Sequence, residues 1–145
     1  MWGPNTVVSY HKMPGKPFIY QSRVHFSDTD ASGRIHYIAL LYHMDQAEAE
    51  FMRSRGIGYR TIQDDHVGFP RVHVECDYTS ALMYDDLMDI AVTVDRVGGA
   101  SFTLAFDVSV AGRAAARGKV TIASIDRKGQ KACPLPERLR AALIE

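Results

Sequence analysis

The stretch Phe26-Ser-Asp-Thr-Asp-Ala-Ser-Gly-Arg-Ile-His-Tyr37, continued by Ile38-Ala-Leu-Leu-Tyr-His-Met-Asp-Gln-Ala-Glu-Ala-Glu-Phe-Met-Arg-Ser-Arg55, sets the architecture of this chain. Its second part has helical periodicity. Leu40, Met44, Ala47 and Phe51 recur at helical spacing, with Leu41 and Met52 alongside. Asp45, Glu48 and Glu50 are expected mainly off that stripe. Arg53 and Arg55 suit the negative end of the helix dipole, and Gly56 suits a C-terminal cap. At about 1.5 Å per residue such a helix is roughly 28 Å long, enough to cross the face of a sheet. The first part, from Asp28 to Gly33, is made of turn and cap residues.

Outward from this segment the chain reads as strands. Upstream, a strand over about Phe18 to Ser27 would put Tyr20, Val24 and Phe26 on one face and Gln21, Arg23 and His25 on the other. Downstream, Val72 to Tyr78 alternates cleanly. Met88, Ile90, Val92 and Val94 repeat the pattern, then Phe102, Leu104, Phe106 and Val108, and a last strand runs from about Ala114 to Ile125. Gly98-Gly99 and Ala111-Gly112 supply hairpin turns, and Asp126 to Gly129 another turn. Pro134 and Pro136 precede a short helix over Glu137 to Ile144. Residues 1–16, with Gly3, Pro4, Pro14 and Gly15, read as an irregular arm. The order β-α-β-β-β-β predicts an α+β fold, one long helix against a mostly antiparallel five-stranded sheet. The 145 residues are expected to form one domain.

Composition narrows the function classes. The formal net charge is zero, so nothing electrostatic points to nucleic acid. Met1 to Pro17 has no long apolar run, so neither a secretory leader nor a membrane span is expected. Cys76 and Cys133 show no framework spacing and read as reduced thiols, which favours the cytosol.

Two carboxylates and a glycine stand between a strand and the start of a long helix. The first turn of a helix has unpaired N–H groups and a positive dipole end. Such donors stabilise the oxyanion formed when a carbonyl is attacked, and a nearby carboxylate can attack that carbonyl or activate a water. Aspartates ahead of helices also serve as caps. Local chemistry leaves the acyl-transfer site and the cap both open.

Asp28-Thr-Asp-Ala-Ser-Gly33, His36-Tyr37 and Glu48-Ala-Glu-Phe-Met-Arg53 resemble the 4-hydroxybenzoyl-CoA thioesterase family of hotdog-fold enzymes. Phe69-Pro-Arg-Val-His-Val-Glu-Cys-Asp-Tyr78, Tyr84-Asp85-Asp86, Ser101 and Pro134-Leu-Pro136 extend the resemblance over most of the chain. It implies a curled sheet wrapped around the helix, subunits paired edge to edge as a homodimer or homotetramer, and active sites at the interface. It implies acyl-CoA as substrate, with no metal or redox cofactor, since coenzyme A enters with the substrate. By position, Asp30 is the catalytic carboxylate, the Tyr37 amide polarises the thioester carbonyl, and Gly33 allows close backbone approach. Many relatives carry a histidine at the Tyr37 position, whereas the branch acting on aromatic acyl groups shares the tyrosine. A dehydratase acting on carrier-protein thioesters and a non-catalytic thioester-binding protein are the competing functions.

Other residues invite two readings each. His36 and His43 lie seven apart but lack a third metal ligand at a suggestive spacing. His36 lines the acyl site on one reading and is an ordinary hydrogen-bonded histidine on the other. Arg71 and His73 are expected on one face of their strand, continued by Glu75 and Asp77, as a solvated face or as contacts for coenzyme A phosphates. Arg127 and Lys128, with Lys119, are a second basic group, read as turn charges or phosphate contacts. Tyr42, Met44 and Phe51 read as core before pocket, and Ser101 as a strand start before a nucleophile, since no Gly-x-Ser-x-Gly elbow surrounds it.

Overall fold

The computed structural model describes residues 16–62 and 66–145. The expected arm over 1–16 lies, except for Lys16, outside the described residues. The chain runs β1 (Phe18–Arg23), a 3-10 turn (Phe26–Asp28), α1 (Tyr37–Ser54), α2 (Tyr59–Ile62), β2 (Val67–Gly68), β3 (Arg71–Tyr78), β4 (Leu87–Val97), β5 (Ser101–Val110), β6 (Arg113–Ala123), β7 (Ile125–Asp126), β8 (Lys131–Ala132) and α3 (Glu137–Ile144). Five strands form one antiparallel sheet in the order β1-β4-β5-β6-β3, while β2, β7 and β8 form a small ribbon.

The helix forms where the apolar stripe predicts, and its end is set by glycine. Gly56 takes φ +71°, the left-handed region that costs glycine little. Its amide donates to the Arg53 carbonyl, and the Ile57 amide donates to that of Met52. Leu40, Met44, Ala47, Phe51 and Met52 are buried against the inner sheet face, which presents Met88, Ile90, Val92, Phe102, Leu104, Phe106, Val120 and Ile122. Each such leucine or phenylalanine contributes about 1.5–3 kcal/mol on burial. A Cβ on Gly118 would stand 2.5 Å from the Met44 methyl, so the absence of a side chain there lets the helix seat on β6.

Both edge strands grip the helix. Along β1, the Phe18 ring meets Phe51 edge-on at 6.0 Å, the Tyr20 hydroxyl reaches Gln46 at 3.4 Å, and Ser22 reaches His43 at 2.5 Å. Along β3, the Tyr78 hydroxyl donates to the Tyr37 carbonyl at 2.6 Å, and Arg71 pairs with Glu48. These contacts curl the sheet around α1 from both sides.

Four expectations need correction. β1 stops at Arg23, and Phe26 does not join the face of Tyr20 and Val24. It sits in the 3-10 turn, 77% exposed, with its ring edge-on to Tyr84. Glu48 is on the buried side of α1, only 3% exposed. Arg71 and His73 do not share a face. A bulge places Arg71 opposite Ile122 and His73 opposite Thr121, so one extra residue reverses the alternation between them. The last strand is also two elements: β6 ends at Ala123, and β7 leaves the main sheet after Ser124. The Ala111-Gly112 turn has φ +49° and +79°, the paired positive values of a type I′ hairpin. Cys76 and Cys133 are free thiols.

Candidate active site

The loop from Asp28 to His36 folds back on itself. The Asp30 amide donates to the Arg34 carbonyl at 2.8 Å, the Gly33 amide to the Asp30 carbonyl at 3.0 Å, and the His36 amide to the Asp28 carbonyl at 2.7 Å. Gly33, at φ +84°, supplies the left-handed turn that closes the loop. The Ile35 amide ties the loop to Leu82 at 2.7 Å.

The two aspartates have different surroundings. Asp28 accepts from the His25 amide and from His43 Nε2, both at 2.8 Å. Burial pushes its carboxyl up, but the His25 amide and the His43 ring outweigh that and hold it below the usual range. His43, 3% exposed, continues the chain through Nδ1 to Ser22 Oγ at 2.5 Å. With Asp28 ionised, Nε2 carries the proton and Nδ1 accepts from the serine hydroxyl. This chain has the residue types of a hydrolytic triad, but Ser22 is 8% exposed, and the chain joins β1, α1 and the turn. It fastens the loop.

Asp30 is exposed and accepts from the Ser32 hydroxyl at 2.6 Å and the Ser32 amide at 2.8 Å. Those hydrogen bonds hold its carboxyl below the ordinary value, so it is anionic at neutral pH. At the start of α1, His36 Nδ1 accepts from the Ile38 amide at 3.1 Å, and the His36 carbonyl accepts from Ala39 and Leu40. Among the described residues the Tyr37 amide alone in this first turn has no acceptor. The turn thus presents one free N–H at the positive end of an 18-residue helix.

Below Tyr37, a cavity of about 200 Å³ runs between α1 and β3. Leu41, Met44, Val74, Phe106 and Val120 give it apolar walls, and Asp45, Glu48 and Arg71 give it a charged end. The Arg71 guanidinium lies over the Tyr59 ring at 5.0 Å and donates to the Phe69 carbonyl at 2.9 Å as well as to Glu48. Burial raises the Glu48 carboxyl against the pull of Arg71, and burial pushes the Tyr59 phenol far above its usual value. The Tyr59 hydroxyl is buried beside this ion pair.

The remaining candidates are dispersed. His36 caps α1 and stacks on the Tyr37 ring at 4.7 Å. His73 faces the outer side of the sheet, 2.9 Å from Glu75, near the Lys119–Asp95 pair. Arg127 and Lys128 lie in the β7–β8 turn, where the Lys128 amide is held by Asp126. Met44 and Phe51 are core, Tyr42 is exposed, and Ser101 starts β5 as a buried residue. His43 and Glu48 were not singled out as site residues by sequence reasoning, and Arg71 was read as a coenzyme A phosphate contact and not as the partner of Glu48. Their signal was a polar residue on the apolar stripe: His43 lies three after Leu40 and four before Ala47, and Glu48 four after Met44.

The thioesterase-like superfamily model matches residues 24–143. The chain is 29% identical over 132 residues to a 1,4-dihydroxy-2-naphthoyl-CoA hydrolase of Synechococcus sp. (strain CC9605), covering 86% of this chain and 89% of that protein. It is 27% identical over 128 residues to the acyl-CoA thioesterase YbgC of Haemophilus influenzae, covering 86% and 93%. Among solved structures, BH1999 gentisyl-coenzyme A thioesterase superposes with a TM-score of 0.78 at 28% identity, over 87% of this chain and 99% of that one. With the family model matched over residues 24–143, a stretch that contains the acid loop, the helix and four of the five long strands, the protein belongs to the thioesterase-like superfamily of hotdog-fold proteins.

Proposed function

We propose that this protein is an acyl-CoA thioesterase that hydrolyses a small acyl-CoA, aromatic acyl groups among the candidates, to the free acid and coenzyme A. The observation that carries the reading is an anionic, exposed Asp30 on the loop that leads into a helix whose Tyr37 amide is free. The thioester oxygen docks on that N–H. Asp30 attacks the carbonyl carbon, or takes the proton of a water that does, and negative charge gathers on the oxygen facing Tyr37. The carbon–sulfur bond then breaks and coenzyme A leaves as its thiolate; on direct attack the acyl group stays on Asp30 as a mixed anhydride, which water hydrolyses to the free acid, and on the water route the acid leaves directly and Asp30 passes its proton to the thiolate. The hydrogen bonds from Ser32 lower the basicity and the nucleophilicity of Asp30 alike, so they serve either route. Gly33 keeps the loop tight enough for this approach.

No metal or redox cofactor enters the reading. Arg127 and Lys128 are the proposed contacts for the nucleotide phosphates, with His36 beside the thioester and His73 as a further coenzyme A contact. The working unit is one domain per chain, paired through β3 as a dimer or tetramer in the cytosol. Among the described residues, no helix is long and apolar enough to cross a membrane.

Thiol release from a panel of acyl-CoAs tests the reading. Asp30→Asn should lower kcat by on the order of 10²-fold or more with fold and assembly intact, while Asp28→Asn acts mainly through stability. Near-wild-type turnover by Asp30→Asn would sink the assignment. Background thiol release from every substrate would favour the dehydratase or the binding protein instead.

A further inference from the structure

We infer that Glu48 and Arg71 form a length stop at the far end of an acyl slot, one that rejects long aliphatic acyl groups; this rests on the thioesterase reading above. Tyr37, Leu41, Asp45 and Glu48 fall at i, i+4, i+8 and i+11 of α1, which makes them one stripe of the helix. The cavity therefore begins one turn below the free Tyr37 amide and follows the same face. β3 runs along that stripe and is fastened to it at both ends, by Tyr78 on the Tyr37 carbonyl and by Arg71 on Glu48. Between the fastenings the walls are apolar except for Asp45, which stands one turn before Glu48. An acyl group whose carbonyl sits at Tyr37 and whose tail enters the slot extends toward the ion pair.

Size and charge decide what fits. From Leu41 to Glu48 the slot is about 10 Å long. Its volume, about 200 Å³, exceeds the cavity of about 150 Å³ known to hold benzene. Tyr37 stands about 6 Å further up the helix, so one ring or a chain of up to roughly ten carbons ends short of the ion pair. A longer chain must lie across Arg71, whose side chain keeps 33% of its surface exposed while Glu48 keeps 3%. Methylenes there would strip water from the guanidinium without replacing its hydrogen bonds. The bulge in β3 makes this possible, because it is what aims Arg71 inward.

The test measures binding of ethyl-, hexyl- and dodecyl-coenzyme A thioethers by calorimetry, beside hydrolysis of the matching thioesters. Removing both charges together, as E48L/R71M, avoids stranding one of them. The dodecyl-to-hexyl affinity ratio should rise at least about 10-fold in that variant, as should the corresponding kcat/KM ratio. An unchanged ratio in a folded double variant overturns the stop. Should the double variant not fold, Val74→Phe, at a wall position 49% exposed, narrows the slot without touching the core. It should weaken the hexyl thioether about 5-fold or more and the ethyl thioether less than about 2-fold; equal effects on both overturn the slot. A wild-type protein that discriminates thioether length yet hydrolyses no thioester defeats the thioesterase reading and supports the stop.

Discussion

Asp28 and Asp30 are two residues apart and have been given different work by their hydrogen bonds. Asp28 is tied to His43, and through it to Ser22, so its loss is felt as stability; Asp30 is held only by its own loop. His43→Leu leaves the buried Ser22 hydroxyl and the Asp28 carboxylate without their partner, and should cost about 1–3 kcal/mol in denaturant unfolding. His43→Gln, which offers both a donor and an acceptor, should recover part of that. The acid side follows from sign. A carboxyl whose folded pKa is lowered stabilises the fold above its unfolded pKa, and that contribution is lost as pH falls through the folded value. Asp28→Asn should therefore flatten the fall in stability below about pH 4. Loss of stability on acidification equal to wild type would reject the role. The family resemblance selects Asp30 over Asp28. It did not show the partners of Asp28, because Ser22 and His43 reach it from different elements.

At the level of elements, periodicity exposed the helix and the three central strands because each buries apolar residues along its length, and the edge strands β1 and β3 because their residue types alternate, although β3 has no buried residue. It failed where single residues break the rule. A strand read by alternation assumes constant parity, and the bulge after Arg71 changes that parity without a glycine or proline to mark it. β2, β7 and β8, two residues each, are too short to show a period. Gly118 is a further case, a glycine inside a strand where the helix must come close. Gly118→Ala sets a methyl 2.5 Å from the Met44 methyl and 3.1 Å from the Glu75 carbonyl oxygen, and should destabilise the protein by about 1–3 kcal/mol. Combined with Met44→Val the penalties should be less than additive, since the valine vacates the contact. Strict additivity would show that the helix seat does not depend on this pair.

For the whole molecule, β3 is the outer strand on one side, with Val74 and Tyr78 exposed along it. An open edge of eight residues is a pairing surface, and sedimentation at micromolar concentration should show at least a dimer. A stable, active monomer would remove the edge-to-edge arrangement. The strand order also implies a sequence of events in time. β4, β5 and β6 are successive hairpins that can zip from their turns, whereas β1 must find β4 and β3 must find β6 across long stretches of chain. The slot and the acid loop depend on those late arrivals. During synthesis β1, α1 and β3 emerge before the meander that must receive β3, and no partial chain ending before β6 can hold β3 in place. In refolding followed by pulsed hydrogen exchange, amides of β4 and β5 should gain protection ahead of those of β1 and β3.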